Sequence, residues 1–359
     1  MNMLKIISIA GARPQFVKTG IMHRSLAQHP QISHLIVHTG QHYDPAMSDL
    51  FFRDLQIPAP SYHLNINQLS HGAMTGRMLE KIEAVLLKEA PRLVLVYGDT
   101  NSTLAGALAA SKLHIPLAHI EAGLRSFDRN MPEEINRILT DRVSNLLFCP
   151  TRQAIQNLEQ EGYRHIDCEL HLSGDIMLDA ALQFSKLAPA KQVWTQPFVL
   201  CTLHREEVLA SKDKLQHAAE ALNRLHQHVP VLFPAHPRTR AALQTFDIKI
   251  AFHLVPPMGY LEMLQALEQC SCVVTDSGGL QKEAYFFKKP CITMRNTTEW
   301  TELVEAGVNK LWEEEGADLI SFYTHFMQEA PDFSQALYGS GNSCQLIVEK
   351  ILSFINKIR

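Results

Sequence analysis

The chain has 359 residues, 46% of them hydrophobic and 19% charged, with a formal net charge of −4. That length exceeds one ordinary core and predicts two domains, while the hydrophobic share excludes a disordered chain. The slight negative balance offers nothing to a nucleic acid or a membrane surface, so any bound anion must be held by local groups.

"MNMLKIISIAGA" imitates a signal peptide only faintly, because its apolar run is short and structure is expected to continue through it. No apolar stretch approaches the length of a membrane span. The seven cysteines, Cys149, Cys168, Cys201, Cys270, Cys272, Cys291 and Cys344, are odd in number and sit mostly within apolar runs. Cys270 and Cys272 form C-x-C without a second pair or a nearby histidine cluster, so neither a zinc site nor a disulfide framework is expected. Buried reduced thiols fit a cytoplasmic protein.

Along the chain, short apolar runs alternate with helical patterns. Candidate strands are "LKIISIAG", "HLIVHTG", "RLVLVYGD", "PLAHIEA" and "LLFCP", then "FVLCTLH", "VPVLFPAH", "AFHLVPP", "CVVTDS" and "PCITMR". Most are continuously apolar, as expected of parallel strands covered on both faces. The alternation predicts doubly wound α/β architecture, and ten strands predict two Rossmann-like halves. The seam is placed between residues 170 and 195, giving domains 1–172 and 173–340. A final helix over 341–359 packs back on the first, with Asn342 or Ser343 as its N-cap.

Ligands in open parallel sheets bind beyond the carboxyl ends of strands. Asp99 ends one candidate strand and Glu121 the next, with one crossover helix between, so the two should share a crevice. Downstream, "HIEAGLRSFDRNMPEEINR" places Asp128, Glu133 and Glu134 beside Arg125, Arg129 and Arg137. Pro132 suits a first helical position. The helix after it is expected to bury Ile135, Ile138, Leu139, Val143 and Leu146, and to align Glu133, Arg137 and Asp141 on its polar face. The plain structural alternative makes Asp99 a helix cap and Glu133–Arg137 a surface pair worth about a few tenths of a kcal/mol. Three carboxylates converging on one crevice favour an acid/base site, since close like charges split their proton affinities.

In the second half, "CVVTDSGGLQKEAYFFKKPCITM" reads strand, turn, helix, strand. Gly278 and Gly279 permit close approach of a ligand to the backbone, the helix N-terminus offers N–H groups to an anion, and Glu283 can accept from ribose hydroxyls. An ordinary βα turn would look the same. His204, Arg205 and Glu206 follow another strand end, as does His236, and a histidine there beside Arg suits phosphate contact or proton transfer. Near the amino end, Arg13 and Lys18 can meet a phosphate; otherwise they are solvated charges at a helix start.

Together, "GARPQFVK", "TGQHYD", "YGDTNSTLAGALAA", "HIEAGLR", "MPEEINR", "LHREE", "TDSGGLQKEA" and "RNTTEW" resemble, in order, the non-hydrolysing UDP-N-acetylglucosamine 2-epimerases, over nearly the whole chain. The resemblance implies a GT-B-like fold, two Rossmann-like domains facing across a cleft. It implies UDP contacts from Arg13, His204, Ser277, Gly278, Gly279 and Glu283, with "PPMGY" and its Tyr260 near the uracil. It assigns acid/base work to Asp99, Glu121 and Glu133, with His204 beside the leaving phosphate and Lys18, Gln41 and Arg137 lining the sugar site. It implies a homodimer, no metal and no other cofactor, and C2 inversion through UDP elimination and re-addition by way of a 2-acetamidoglucal.

Two departures resemble the branch acting on UDP-2,3-diacetamido-2,3-dideoxyglucuronic acid for surface polysaccharides. Trp300 stands where many members have Arg, and "GARPQ" replaces a Thr-Arg-Pro-Glu pattern. The family's regulatory UDP-sugar site is visible only in part, as Gln41, His42 and Arg77. A glycosyltransferase of the same fold, a hydrolysing epimerase and a non-catalytic UDP-sugar sensor are the rival readings.

Overall fold

The computed structural model describes residues 3–41, 52–188, 194–312 and 318–358. The chain divides into two compact units, Met1–Ala180 with Leu337–Arg359, and Ala181–Ala336.

In chain order, the first unit is built from β1 (Leu4–Ala10), α1 (Arg13–Leu26), β2 (Ile32–His38), β3 (Tyr62–His63), α2 (His71–Glu89), β4 (Leu93–Tyr97) and α3 (Asn101–Lys112). It continues through β5 (Leu117–Ile120), α4 (Pro132–Val143), β6 (Leu146–Cys149), α5 (Arg152–Gln160), β7 (Glu169–Leu172) and α6 (Ile176–Phe184), the helix in which the division falls. The second unit holds β8 (Val199–Thr202), α7 (Glu206–Leu209), α8 (Lys212–His228), β9 (Val231–Pro234), α9 (Pro237–Thr245) and β10 (His253–Val255). After these come α10 (Tyr260–Gln269), β11 (Cys272–Thr275), α11 (Gly278–Phe286), β12 (Cys291–Thr293), α12 (Thr301–Glu305), β13 (Asn309–Leu311) and α13 (Leu319–Gln328). The last helix, α14 (Ser343–Lys357), returns to the first unit.

Each unit carries one parallel sheet of doubly wound order. The seven-stranded sheet runs β3-β2-β1-β4-β5-β6-β7 and the six-stranded sheet β10-β9-β8-β11-β12-β13. β4 and β11, at the centres of the two sheets, are buried along their whole length because helices cover both faces. In the first unit Ile7, Ile9, Val94 and Val96 pack against Met78 and Ile82 of α2 and the alanines of α3. Val199, Val231, Val274 and Ile292 do the same in the second unit against Leu222 and Leu225 of α8 and Phe326 of α13. Each fully buried aliphatic side chain there contributes about 1.5–3 kcal/mol.

Thirteen strands occur among the described residues, three more than the sequence pattern suggests. The additional ones, β3, β7 and β13, are all sheet edges. An edge strand is covered on fewer sides, so "YH", "ELHL" and "NKL" carry no apolar run.

The first unit extends to Ala180, beyond the 172/173 boundary that the sequence suggests, for a local reason. Asp179 is buried on α6 and accepts from the backbone N–H groups of Ser343 (3.1 Å) and Cys344 (2.9 Å). Asn342 occupies the N-cap position of α14 yet makes no side-chain capping bond, so the cap comes from a residue far away in sequence. Burial pushes the Asp179 carboxyl up, and the two N–H donors partly offset that push.

Asp179→Ala leaves those N–H groups without a partner in the interior and should lower the free energy of unfolding by about 1–3 kcal/mol, read from denaturant midpoints. Asp179→Asn keeps one acceptor and should lose less. A wild-type midpoint for the alanine variant would show that the cap is idle.

Candidate functional site

In the first sheet the strand order reverses at β1, which lies between β2 and β4. A doubly wound sheet opens its ligand crevice at this reversal, beyond the strand ends. Asp99 follows β4 and Glu121 follows β5, two strands paired in parallel. Gly98 turns the chain with φ +61°, and Glu121 itself has φ +74°, a left-handed conformation uncommon for a side-chain-bearing residue. A Cβ at Gly98 would lie 3.1 Å from Glu121 Oε2 and 3.7 Å from Lys18 Nζ, so the strand end is tightly closed around that carboxylate.

Each of the two carboxylates has a cationic partner from a different helix. Lys18, buried on α1, pairs with Glu121, and Arg137 of α4 pairs with Asp99. Asp99 is thus not the cap of α3; Thr100 fills that position, its hydroxyl accepting from Thr103 N–H at 3.3 Å. Burial alone would lower the Arg137 pKa, but Asp99, Glu134 and Glu121 reverse this and raise it. Gln41 Oε1 accepts from Ser102 N–H (3.1 Å) and Oγ (2.8 Å) at the start of α3. Arg13 is exposed at the first position of α1.

Gln15 explains the "GARPQ" departure. Its Oε1 accepts from Gly11 N–H (2.8 Å) and Ala12 N–H (3.1 Å), while its Nε2 donates to Tyr97 O (2.7 Å) and Thr103 Oγ1 (2.9 Å). A carboxylate would have nothing to donate to the Tyr97 carbonyl.

α4 is turned inside out relative to the expectation. Its buried residues are Glu134, Asn136, Thr140 and Asp141, whereas Ile135 and Leu139 are exposed, Ile138 and Val143 are half-buried, and Leu146 belongs to β6. The polar side faces inward because the loops after β4 and β5 need hydrogen-bond partners. Asn136 donates to Asp99 O at 2.9 Å. Glu134 accepts from Ser126 N–H, Ser126 Oγ, Phe127 N–H and Arg137 Nη1, at 2.9 to 3.0 Å. Within the helix, Arg137 therefore pairs with Glu134 three residues away, in addition to Asp99, and Glu133 stands exposed in the first turn. Asp128 closes a surface turn on Asn130 (2.9 Å), so "SFDRN" is solvated while the side chains of Arg125 before it and Glu134 after it are interior.

Behind the strand ends lies a network that sequence reasoning missed. His119 and Asp141 are fully buried, with His119 Nδ1 2.6 Å from Asp141 Oδ1 and His119 Nε2 2.7 Å from the Gly98 carbonyl. Asp141 Oδ2 accepts from Gly123 N–H (3.1 Å) and Arg125 Nη1 (2.7 Å). Arg125 also grips Glu161 through two bonds of 2.7 and 2.8 Å. Burial would lower the Arg125 pKa, and Glu161 and Asp141 instead raise it. The available signal was a histidine inside an otherwise apolar strand, "PLAHI".

The second sheet reverses at β8, between β9 and β11. His204 and Arg205 follow β8, and Ser277 follows β11 as the N-cap of α11, its Oγ accepting from Leu280 N–H at 3.4 Å. Asp276, fully buried and also missed from sequence, ties the two strand ends together. It accepts from His204 N–H and Arg205 N–H, both at 2.9 Å, and lies 3.2 Å from His204 Nδ1. With Nδ1 on the Asp276 side, Nε2 is the nitrogen that the half-exposed ring can offer to a ligand.

A Cβ at Gly278 would collide with the Glu299 carboxylate, whereas one at Gly279 would meet nothing. Glu283 lies half-buried on α11, and Tyr260 opens α10 with its ring edge-on to Phe184. Trp300 donates its indole N–H to Gly278 O (2.8 Å), and Lys282 Nζ sits 4.2 Å from its ring centre. His236 caps α9 by accepting from Arg238 N–H at 3.3 Å. Of the expected regulatory residues, Arg77 makes a solvent-exposed contact to Glu80, and His42 lies outside the described residues. Among the described residues no cluster of His, Cys, Asp and Glu could hold a metal ion, and no helix is long and apolar enough to cross a membrane.

The family model described as UDP-N-acetylglucosamine 2-epimerase matches residues 24–352. The chain is 51% identical to the UDP-2,3-diacetamido-2,3-dideoxy-D-glucuronate 2-epimerase of Pseudomonas aeruginosa, over 96% of this chain and 99% of that one. It is similar to the crystal structure of Methanocaldococcus jannaschii UDP-GlcNAc 2-epimerase in complex with UDP-GlcNAc and UDP, with a TM-score of 0.83, 40% identity, and coverage of 98% and 99% of the two chains. The Neisseria meningitidis UDP-GlcNAc 2-epimerase bound to UDP-GlcNAc gives a TM-score of 0.85 at 29% identity, with coverage of 97% and 100%. With both doubly wound sheets and matches that run almost end to end, this chain belongs to the UDP-N-acetylglucosamine 2-epimerase family.

Proposed function

We propose that the protein inverts C2 of a UDP-2-acetamido sugar by eliminating and re-adding UDP. The observation that carries this reading is the pair of carboxylates at neighbouring strand ends, Asp99 and Glu121, each with its own cationic partner. One carboxylate takes the C2 proton, the C–H electrons form the C1=C2 bond, and the C1–O bond breaks towards the diphosphate. An acid on the opposite face then returns a proton to C2 as UDP adds back to C1. A weakly acidic C–H needs a positioned base, a second acid and cationic help for the leaving group. Glu133 is the third carboxylate of the reading, because the oxygens of Glu134 are already committed to Ser126, Phe127 and Arg137.

The diphosphate is assigned to the N-terminus of α11, with Ser277, Gly278 and Gly279, and to His204 and Arg13; Glu283 is assigned to the ribose and Tyr260 to the uracil side. Lys18, Gln41, Arg137 and Trp300 are assigned to the sugar. Among UDP-2-acetamido sugars, the 2,3-diacetamido-glucuronate is favoured by the 51% identity to an enzyme named for it and by Trp300 in a position that many relatives fill with Arg.

Localisation is assigned to the cytoplasm on the seven free cysteines, six of them buried. The assembly is assigned as a homodimer, with a second copy covering the apolar stripe of Met131, Ile135 and Leu139 that α4 leaves exposed.

Incubation with UDP-GlcNAc and with the diacetamido-glucuronate analogue in D2O, followed by NMR, should give reversible C2 inversion with deuterium at C2 and an intact UDP linkage, faster for the analogue. Free sugar plus UDP would indicate a hydrolase, turnover only with an added alcohol a transferase, and binding alone a sensor. Asp99→Asn, Glu121→Gln and Glu133→Gln should each lower kcat at least ~100-fold. Near-normal turnover in all three would reject the assignment. Ile135→Glu with Leu139→Glu should halve the mass measured by light scattering; an unchanged mass would remove α4 from the interface.

A further inference from the structure

The fully buried His119–Asp141 pair has no part in the elimination as written, yet it touches both loops that carry the reacting carboxylates. The carbonyl of Gly98 can only accept, so His119 Nε2 bears the hydrogen that meets it. That bond fixes the peptide leading directly into Asp99. On its other side Nδ1 lies 2.6 Å from Asp141 Oδ1, and the second oxygen of Asp141 accepts from Gly123 N–H. The turn at 121–123 is then held from two directions, since Glu121 N–H and Ala122 N–H both donate to Phe148 O, at 3.1 and 3.0 Å.

Routine satisfaction of buried polar groups does not account for the pair. For stability alone, an apolar side chain in the middle of a covered strand serves as well as a buried charged network or better. And Glu121 is held at φ +74°, a conformation that persists only when its surroundings over-determine it and that concentrates at functional sites.

We propose that His119 and Asp141 are positioning residues that set the separation of Asp99 and Glu121, His119 by holding the backbone before Asp99 and Asp141 by holding the turn behind Glu121. This rests on the reading that those carboxylates move the C2 proton. A displacement of about 1 Å at reacting groups can cost on the order of 100-fold in rate while leaving binding of the remote diphosphate intact.

The experiment compares full-length His119→Asn, His119→Gln and Asp141→Asn with wild type. The glutamine amide reaches the place of Nε2 and can still donate to Gly98 O, whereas asparagine reaches only the place of Nδ1. His119→Asn should lower kcat by about 10- to 100-fold with KM and the UDP Kd within about twofold, and His119→Gln should restore most of the loss. Asp141→Asn should resemble His119→Asn. A folded His119→Asn enzyme with wild-type kcat, or a glutamine variant no better than asparagine, overturns the proposal. Failure of all three to fold assigns the pair to stability and also overturns it.

A wild-type enzyme that inverts no UDP-sugar refutes the functional reading instead. The positioning claim is then judged without turnover, by backbone amide exchange over residues 97–103 and 121–125. Faster exchange over 97–103 in His119→Asn and over 121–125 in Asp141→Asn supports it, and unchanged exchange in both variants overturns it.

Discussion

A carboxylate moved out of water must find donors for both oxygens, and the first unit is arranged around that requirement at Asp141. Its oxygens are taken up by His119 of β5 and by Gly123 and Arg125 of the loop after it, so the strand and its following loop converge on one side chain. Buried carboxylates gather irregular backbone elsewhere too. Glu134 gathers the 126–127 turn, Asp276 joins the ends of β8 and β11, and Asp179 caps α14. In each case an anion in the interior replaces a network of backbone bonds that irregular loops cannot make among themselves.

This requirement accounts for the inverted helix. A strand-end crevice is lined by loops rich in unsatisfied N–H and C=O groups, so the helix packed behind it must present polar atoms. α4 gives its charged side to the loops and leaves Met131, Ile135 and Leu139 outside. Hydrophobic periodicity assumes that the apolar face is the inner one. Here the pattern is present, but the assumption fails because the inner surface is a set of turns instead of an apolar sheet face.

Much of the architecture was legible because parallel strands covered on both faces must be continuously apolar, as "LVLVY" and "CVVT" are. Edge strands such as "NKL" escaped notice, since nothing obliges them to be apolar. At the candidate site, Asp99 and Glu121 could be named because a strand end is a position readable from chain order. Their partners came from elsewhere in the chain. Nothing in local sequence says that Lys18 and not Arg13 turns towards Glu121, or that Glu134 and not Glu133 turns inward beside Arg137. Those choices depend on helix rotation, which is set by tertiary contacts and not by spacing. Asp276 escaped for the same reason, as an Asp before a Ser-Gly-Gly turn resembles any loop residue until the partner strand is in place.

The first unit is discontinuous, with α14 returning from beyond the second unit to pack on α1. Ile347, Val348, Ile351 and Ile355 of that helix are buried. During vectorial synthesis the amino-terminal unit therefore leaves the ribosome with the surface of α1 that α14 covers still bare, and stays so until more than a hundred and fifty intervening residues have been translated. The second unit, contiguous in the chain, has all its own strands and helices before that happens. The order of completion is thus reversed with respect to the order of emergence, and the half-built nascent chain offers chaperones an apolar seat shaped for its own last helix.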